Sequence, residues 1–179
     1  MSGKSSSIAL GGVFSALCLL FMFLTGLVPF ATYALPALAG AMLVAVVIEN
    51  GHRTALMVYV SVSVLSVFIV PDREAAAVFI AFFGYYPIIK EKLEAMRSRL
   101  VEYLIKFGLF NIMIIAAYLA LTYVFGLPLL TEEEMGEFGR YTAVILLVAG
   151  NVVFCLYDFA LTKYVTLYVR WFKPRFLRR

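Results

Sequence analysis

Residues 25–51 read TGLVPFATYALPALAGAMLVAVVIENG. The first half has the make-up of a loop, with two prolines, a glycine and two threonines. Yet no charged residue occurs between Lys4 and Glu49. A loop in water is polar because its backbone is hydrated. A helix-breaking segment without charge therefore belongs in an apolar setting.

Composition points the same way. Of the 179 residues, 64% are apolar, and the mean hydropathy is +0.97. Soluble domains are roughly 45–50% apolar. The excess does not fit inside the core of one domain of this length, so lipid is the expected solvent for much of the chain. The first apolar run is too long for a cleavable signal peptide and has no A-x-A exit. Cys18 and Cys155 both lie in apolar runs and read as small apolar side chains, without the spacing of a disulfide or metal pair. His52 is the single histidine and has no ligand cluster around it.

Six apolar segments follow one another, at about 8–27, 33–48, 54–70, 73–89, 104–125 and 141–165. Ser5, Ser6 and Ser7 are candidate N-caps for the first. Pro36 falls in the first turn of the second, where proline is tolerated. Asn50-Gly51 ends that segment as a helix C-cap does. Asp72 is placed to cap the fourth. Thr131 and Glu134 have capping-box spacing in the polar stretch LPLLTEEEMGEFGR. Segments two to four are short: fifteen to seventeen residues rise roughly 22–26 Å, against roughly 30 Å of hydrocarbon. The expected architecture is all-α, one membrane domain over 1–179 with six transmembrane helices.

Charge placement orients it. Lys4, Arg53, Lys90, Lys92, Arg97, Arg99, Lys106, Lys163, Arg170, Lys173, Arg175, Arg178 and Arg179 share the side of the termini, which is thirteen of the fifteen basic residues. Arg73 and Arg140 lie on the other. The positive-inside rule puts both termini in the cytoplasm of a multi-pass cell-membrane protein. The basic, aromatic tail YVRWFKPRFLRR then anchors to anionic headgroups rather than to nucleic acid. The turn KEKLEAMRSRLVEYLIK mixes Glu and Lys at helical spacing, as a solvated helix does.

Catalytic patterns are missing. Glu132, Glu133, Glu134 and Glu137 cluster outside the membrane, but Arg140 breaks the EExxxR spacing and His52 lies on the opposite side. Tyr157-Asp158 has no GxGD partner, and no GxSxG, P-loop or metal spacing occurs. The expected protein is no enzyme and holds no cofactor or metal. Within the spans, Asn111 and Asn151 are read either as a helix–helix hydrogen bond or as ligand contacts. Asp158 is costly there and is expected to meet Lys106 or Lys163. Tyr59, Ser63 and Ser66 share one inward face.

A family resemblance rests on IALGGVFSAL, LVPFATYALPALAG and ENGHRT. A first helix with spaced small residues, an uncharged Pro-containing loop, a short second helix, a small basic turn and a third helix resemble the substrate-binding S components of bacterial energy-coupling factor (ECF) transporters. Size, span number and orientation match over nearly the whole chain. The resemblance implies a membrane subunit that binds a small, largely uncharged metabolite and docks through an AxxxA-type motif onto a T component coupled to two ATPases. The nearest match is Gly12-xxx-Ala16, and spacing of this kind also serves internal packing. Phe30, Thr32 and Tyr33 would then cover an outward-facing pocket contacted by Tyr33, Tyr118, Thr122 and Asn151. The alternative resemblance is to MreD-like scaffold proteins of the rod-shape and cell-wall machinery, also small and six-span, whose partners would meet the cytoplasmic turn after Lys90.

Overall fold

The computed structural model describes residues 2–28, 31–123, 125–126 and 139–172. All regular structure among them is helical. The elements are α1 (Ser2–Leu24), α2 (Ala34–Ile69), α3 (Arg73–Val78), α4 (Tyr86–Glu94), α5 (Arg99–Tyr123) and α6 (Gly139–Leu167). A π-helical turn, Phe79–Phe83, joins α3 to α4, and a second, Tyr168–Phe172, extends α6. Among the described residues, three helices are long and apolar enough to cross a membrane: Ala34–Ile69, Arg99–Tyr123 and Tyr141–Arg170. The apolar part of α1, Ile8–Leu24, is shorter.

The second and third expected segments are the two arms of α2, divided at Gly51. There φ is +81° and ψ is 169°, a region open essentially to glycine alone. One residue thus reverses the chain without a loop. The reversal is visible in the contacts of α1. A Cβ at Gly11 would touch Val58 and Thr54, and the Cys18 thiol donates to the Ala39 carbonyl. At the far end of α1, Gly26 abuts Pro71.

Successive segments therefore run between two ends. At one end the Tyr33 hydroxyl donates to the Glu74 carboxylate, and the Arg73 guanidinium lies 6.0 Å from the centre of the Phe125 ring. At the other, His52 lies 3.3 Å from Glu91, and Lys106 of α5 reaches Asp158 of α6.

Several boundaries differ from the sequence reading. Helix α1 is already helical at Ser2, so Ser5, Ser6 and Ser7 lie inside it and not at its start. Helix α5 begins at Arg99 rather than 104. The fourth segment is not one helix but α3, the π turn and α4. Asp72 does cap α3, its Oδ1 accepting from the Ala75 N–H at 3.0 Å. Pro36 lies in the first turn of α2 and is buried. Thr131 and Glu134 lie outside the described residues, as does Phe30.

The π turn sets up the core. The Gly84 N–H reaches back five residues to the Phe79 carbonyl at 2.8 Å. Such a turn carries an extra residue and re-aims the side chains that follow. Phe79, Phe82, Phe83 and Tyr86 all end up buried. Phe82 becomes a hub, with ring centroids 4.8 Å from Tyr86, 5.0 Å from Phe110, 5.5 Å from Phe154 and 5.8 Å from Tyr157. Each such pair contributes about 0.5–1.5 kcal/mol beyond its area. Pairs of this kind hold helices together even where the solvent is apolar and the hydrophobic effect contributes little.

Tyr59, Ser63 and Ser66 face inward as expected. The Tyr59 hydroxyl donates to the Ile80 carbonyl at 2.7 Å, and Ser63 and Ser66 are buried.

Candidate functional site

Charged side chains from three helices converge at the His52 end. Asp158 of α6 accepts from the Tyr86 hydroxyl at 2.5 Å and is paired with Lys90 of α4. Its second oxygen meets Lys106 of α5 at 3.2 Å. Lys90 also pairs with Glu94, one turn further along α4. Lys106 reaches Glu94 at 3.3 Å and Glu102 at 2.9 Å, and Arg99 closes on Glu102 at 3.4 Å. Lys106 and Glu102 are each 2% exposed, and Lys90 4%.

Three cations face three carboxylates, so the group is neutral as a whole. Buried charges persist only when paired in this way, since each one alone costs several kcal/mol to desolvate. Every member is held by another, so the cluster works as a clamp between α4, α5 and α6.

Asp158 therefore takes Lys106, one of its two expected partners. The other, Lys163, stands 5.2 Å from the Phe159 ring. Lys90 is the partner that the sequence reading missed. The one local signal, the Lys90–Glu94 spacing of i,i+4, points to Glu94 and not to Asp158. Lys90 itself was passed over because the whole 90–106 stretch read as a solvated helix. The structure corrects that reading. The helix breaks after Glu94, and Lys90, Leu93, Glu102 and Lys106 turn inward while Glu91, Lys92, Arg97 and Arg99 face out.

Midway along α5 and α6, Asn111 and Asn151 exchange a reciprocal pair of amide hydrogen bonds, at 3.0 and 2.9 Å. Asn151 gives its other amide hydrogen to the Leu147 carbonyl, and Asn111 to the Phe107 carbonyl, both at 2.8 Å. All four amide hydrogens are thus spent within the protein, on a helix–helix contact.

Beside the charge clamp lies a cleft of about 720 Å³ between the first arm of α2, α4 and α6. Val44, Val47 and Ile48 form one wall, and Val165 and Val169 face them. Its polar lining includes His52, Lys90, Glu91 and Glu94. None of these was singled out as a site from sequence, because apolar helix residues and a solvated turn carry no signature of a shared cavity. At the opposite end is a cavity of about 120 Å³, lined by Val67, Arg73, Ala76, Ile80, Ala120 and Phe125 among others.

The expected pocket residues fall at different places. Tyr33 stands at the start of α2, exposed and bonded to Glu74. Tyr118 and Thr122 lie near the end of α5, both half-buried. The Thr122 hydroxyl is buried and finds no partner among the described residues. Asn151 belongs to the amide pair, and none of the four lines either cavity. Gly12 and Ala16 are exposed, and a Cβ at Gly12 would meet nothing within 4 Å among the described residues.

Cys18 is buried and Cys155 exposed, and both are free thiols. No group of three or more metal-binding side chains occurs among the described residues. Compared with protein-family models, curated proteins and solved structures, the chain has no match.

Proposed function

We propose that the chain crosses the cell membrane six times with both termini in the cytoplasm. We further propose that it is the substrate-binding membrane subunit of an ECF-type uptake transporter for a small, largely uncharged metabolite. The observation that carries this reading is the outer face of α1. Gly11 and Cys18 pack against α2, whereas Gly12 and Ala16 face away from the protein. Lipid sets no premium on small side chains, but a second helix does, because glycine and alanine let two backbones approach closely. The partner would be a T component, coupled to its ATPase subunits. On the substrate side, the orphaned Thr122 hydroxyl next to Tyr118 is the best-supported ligand contact, with Tyr33 at the same end. Asn151 reaches a ligand only by giving up its bond to Asn111.

The scaffold reading has its own support. Glu91, Lys92, Arg97 and Arg99 are exposed together around the α4–α5 turn, a surface fit for a cytoplasmic partner.

Two experiments test the proposal. With Cys18 and Cys155 replaced by alanine, a cysteine at Glu74 should react with an impermeant thiol reagent in intact cells. Cysteines at Arg53 and Arg97 should react only after lysis. Labelling of Arg53→Cys from outside would overturn the six-span topology. For docking, Gly12→Leu and Ala16→Leu place bulk on an exposed face. Thermal midpoints in detergent should stay unchanged while copurification of a T component and ATPases is lost. Unfolding of both variants, or unchanged copurification, would remove α1 as the docking helix. Cell-wall proteins that copurify and are lost in Arg97→Glu instead would establish the scaffold.

A further inference from the structure

The cleft beside the charge clamp has a chemistry that neither functional reading uses. Its walls are mainly apolar, with Val44, Val47 and Ile48 on α2 facing Val165 and Val169 across the cleft, and Thr162 and Thr166 adding two hydroxyls on the α6 side. At about 720 Å³ it lies within the range of ligand sites, roughly 300–1,000 Å³. Its charged lining is one cation, Lys90, and two carboxylates, Glu91 and Glu94. Lys90 is already held by Asp158 and by Glu94. Glu91 is the more exposed of the two carboxylates, with His52 as its one close neighbour among the described residues. It lies 3.3 Å from His52 Nε2, yet that nitrogen makes no hydrogen bond with it. The lining thus offers an exposed carboxylate at the edge of an apolar slot.

The flanking residues carry the opposite charge. Arg53 follows His52 directly, and Arg170 follows Val169; both are exposed. A ligand for this place therefore needs an apolar body, an ammonium group for Glu91 and an anion for the two arginines. The cleft is also at the end that carries most of the basic residues, where the membrane reading puts the inner leaflet. One class of molecule at that depth has all three parts. We propose that the cleft is a binding site for a phospholipid with a primary-ammonium headgroup, a phosphatidylethanolamine. Its ammonium donates to Glu91, its phosphate lies against Arg53 and Arg170, and an acyl chain lies between the valines of α2 and α6. The proposal rests on the membrane placement but not on the transport or scaffold reading.

Native mass spectrometry of the full-length protein tests it, with phosphatidylethanolamine, phosphatidylcholine and phosphatidylglycerol offered at equal concentration. Phosphatidylethanolamine should be retained most, by about fivefold or more, because a quaternary ammonium donates no hydrogen bond and glycerol carries no charge for Glu91. Glu91→Lys should erase that preference and favour phosphatidylglycerol. Val165→Trp, which fills the slot, should lower retention of all three lipids. Arg53→Ala with Arg170→Ala should lower phosphatidylethanolamine and phosphatidylglycerol alike. Equal retention of phosphatidylglycerol and phosphatidylethanolamine by the unaltered protein would overturn the proposal, reducing the cleft to a basic rim. So would a phosphatidylethanolamine preference that survives Glu91→Lys. Glu91 is exposed and outside the clamp, so its variant should keep the thermal midpoint of the parent. A protein that stays soluble without detergent would refute the membrane placement itself, a result separate from any lipid ranking.

Discussion

Asp158→Ala is expected to cost about 3–5 kcal/mol of stability, the usual effect of removing one partner from a buried ion pair. Asp158 is the acceptor shared by Tyr86, Lys90 and Lys106. Without it, the buried Lys90 and Lys106 lose the acceptor they share, and Lys90 keeps only Glu94, which is partly open to solvent. Removing the stranded lysine as well should restore part of the stability. Lys90→Met together with Asp158→Ala removes the stranded buried cation along with its acceptor and puts an apolar side chain in its place. The double variant should therefore be more stable than the sum of the two single effects predicts, by roughly 1–3 kcal/mol. Denaturant titration of the detergent-solubilised protein measures all three. Additive effects would show that Asp158 and Lys90 are not coupled, and the clamp would then reduce to the Lys106–Glu102 pair.

Gly40→Ala is expected to be as damaging, for a different reason. A Cβ at Gly40 would stand 2.1 Å from the Phe83 carbonyl oxygen and 2.9 Å from the Tyr157 hydroxyl. The first of these is backbone at the end of the π turn, and the Phe83 ring is itself packed 4.9 Å from Tyr157. Neither neighbour can move without opening the aromatic core. Overpacking typically costs about 1–3 kcal/mol and more where backbone must shift. A loss of about 3 kcal/mol or more is expected. Gly108→Ala is the control, since a Cβ there meets nothing within 4 Å among the described residues. In a helix that change should gain about 0.5–1 kcal/mol. Equal, small effects at both sites would mean that α2 and the π turn do not approach as closely as described.

These two positions also mark where sequence reading stops. The long apolar runs and the uncharged Pro-containing stretch were enough for an all-helical chain with helices apolar enough to cross a membrane. Pro36, Asp72 and Gly51 were legible for a similar reason: each acts on its own backbone, so its effect does not wait on a distant partner. The inward face of Tyr59, Ser63 and Ser66 followed from spacing alone.

Other features depended on who meets whom. Lys90 read as a solvated charge because its partner lies 68 residues away on α6, and no local pattern marks that pairing. For Asn111 and Asn151, sequence left a structural and a ligand role level. Only the antiparallel register of α5 and α6, which brings two amides face to face, spends their hydrogens on each other. The π turn was invisible, because one extra residue in a helical turn leaves apolar periodicity almost unchanged while re-aiming every ring after it. The cleft belongs wholly to the tertiary structure, since its valines look like any lipid-facing residues until α2 and α6 are held apart by α4. The sequence by itself determined what each helix is made of and which solvent suits it, since composition and period are properties of one segment. Which charges are buried, where the backbones touch and where a space remains were decided only when separate segments met.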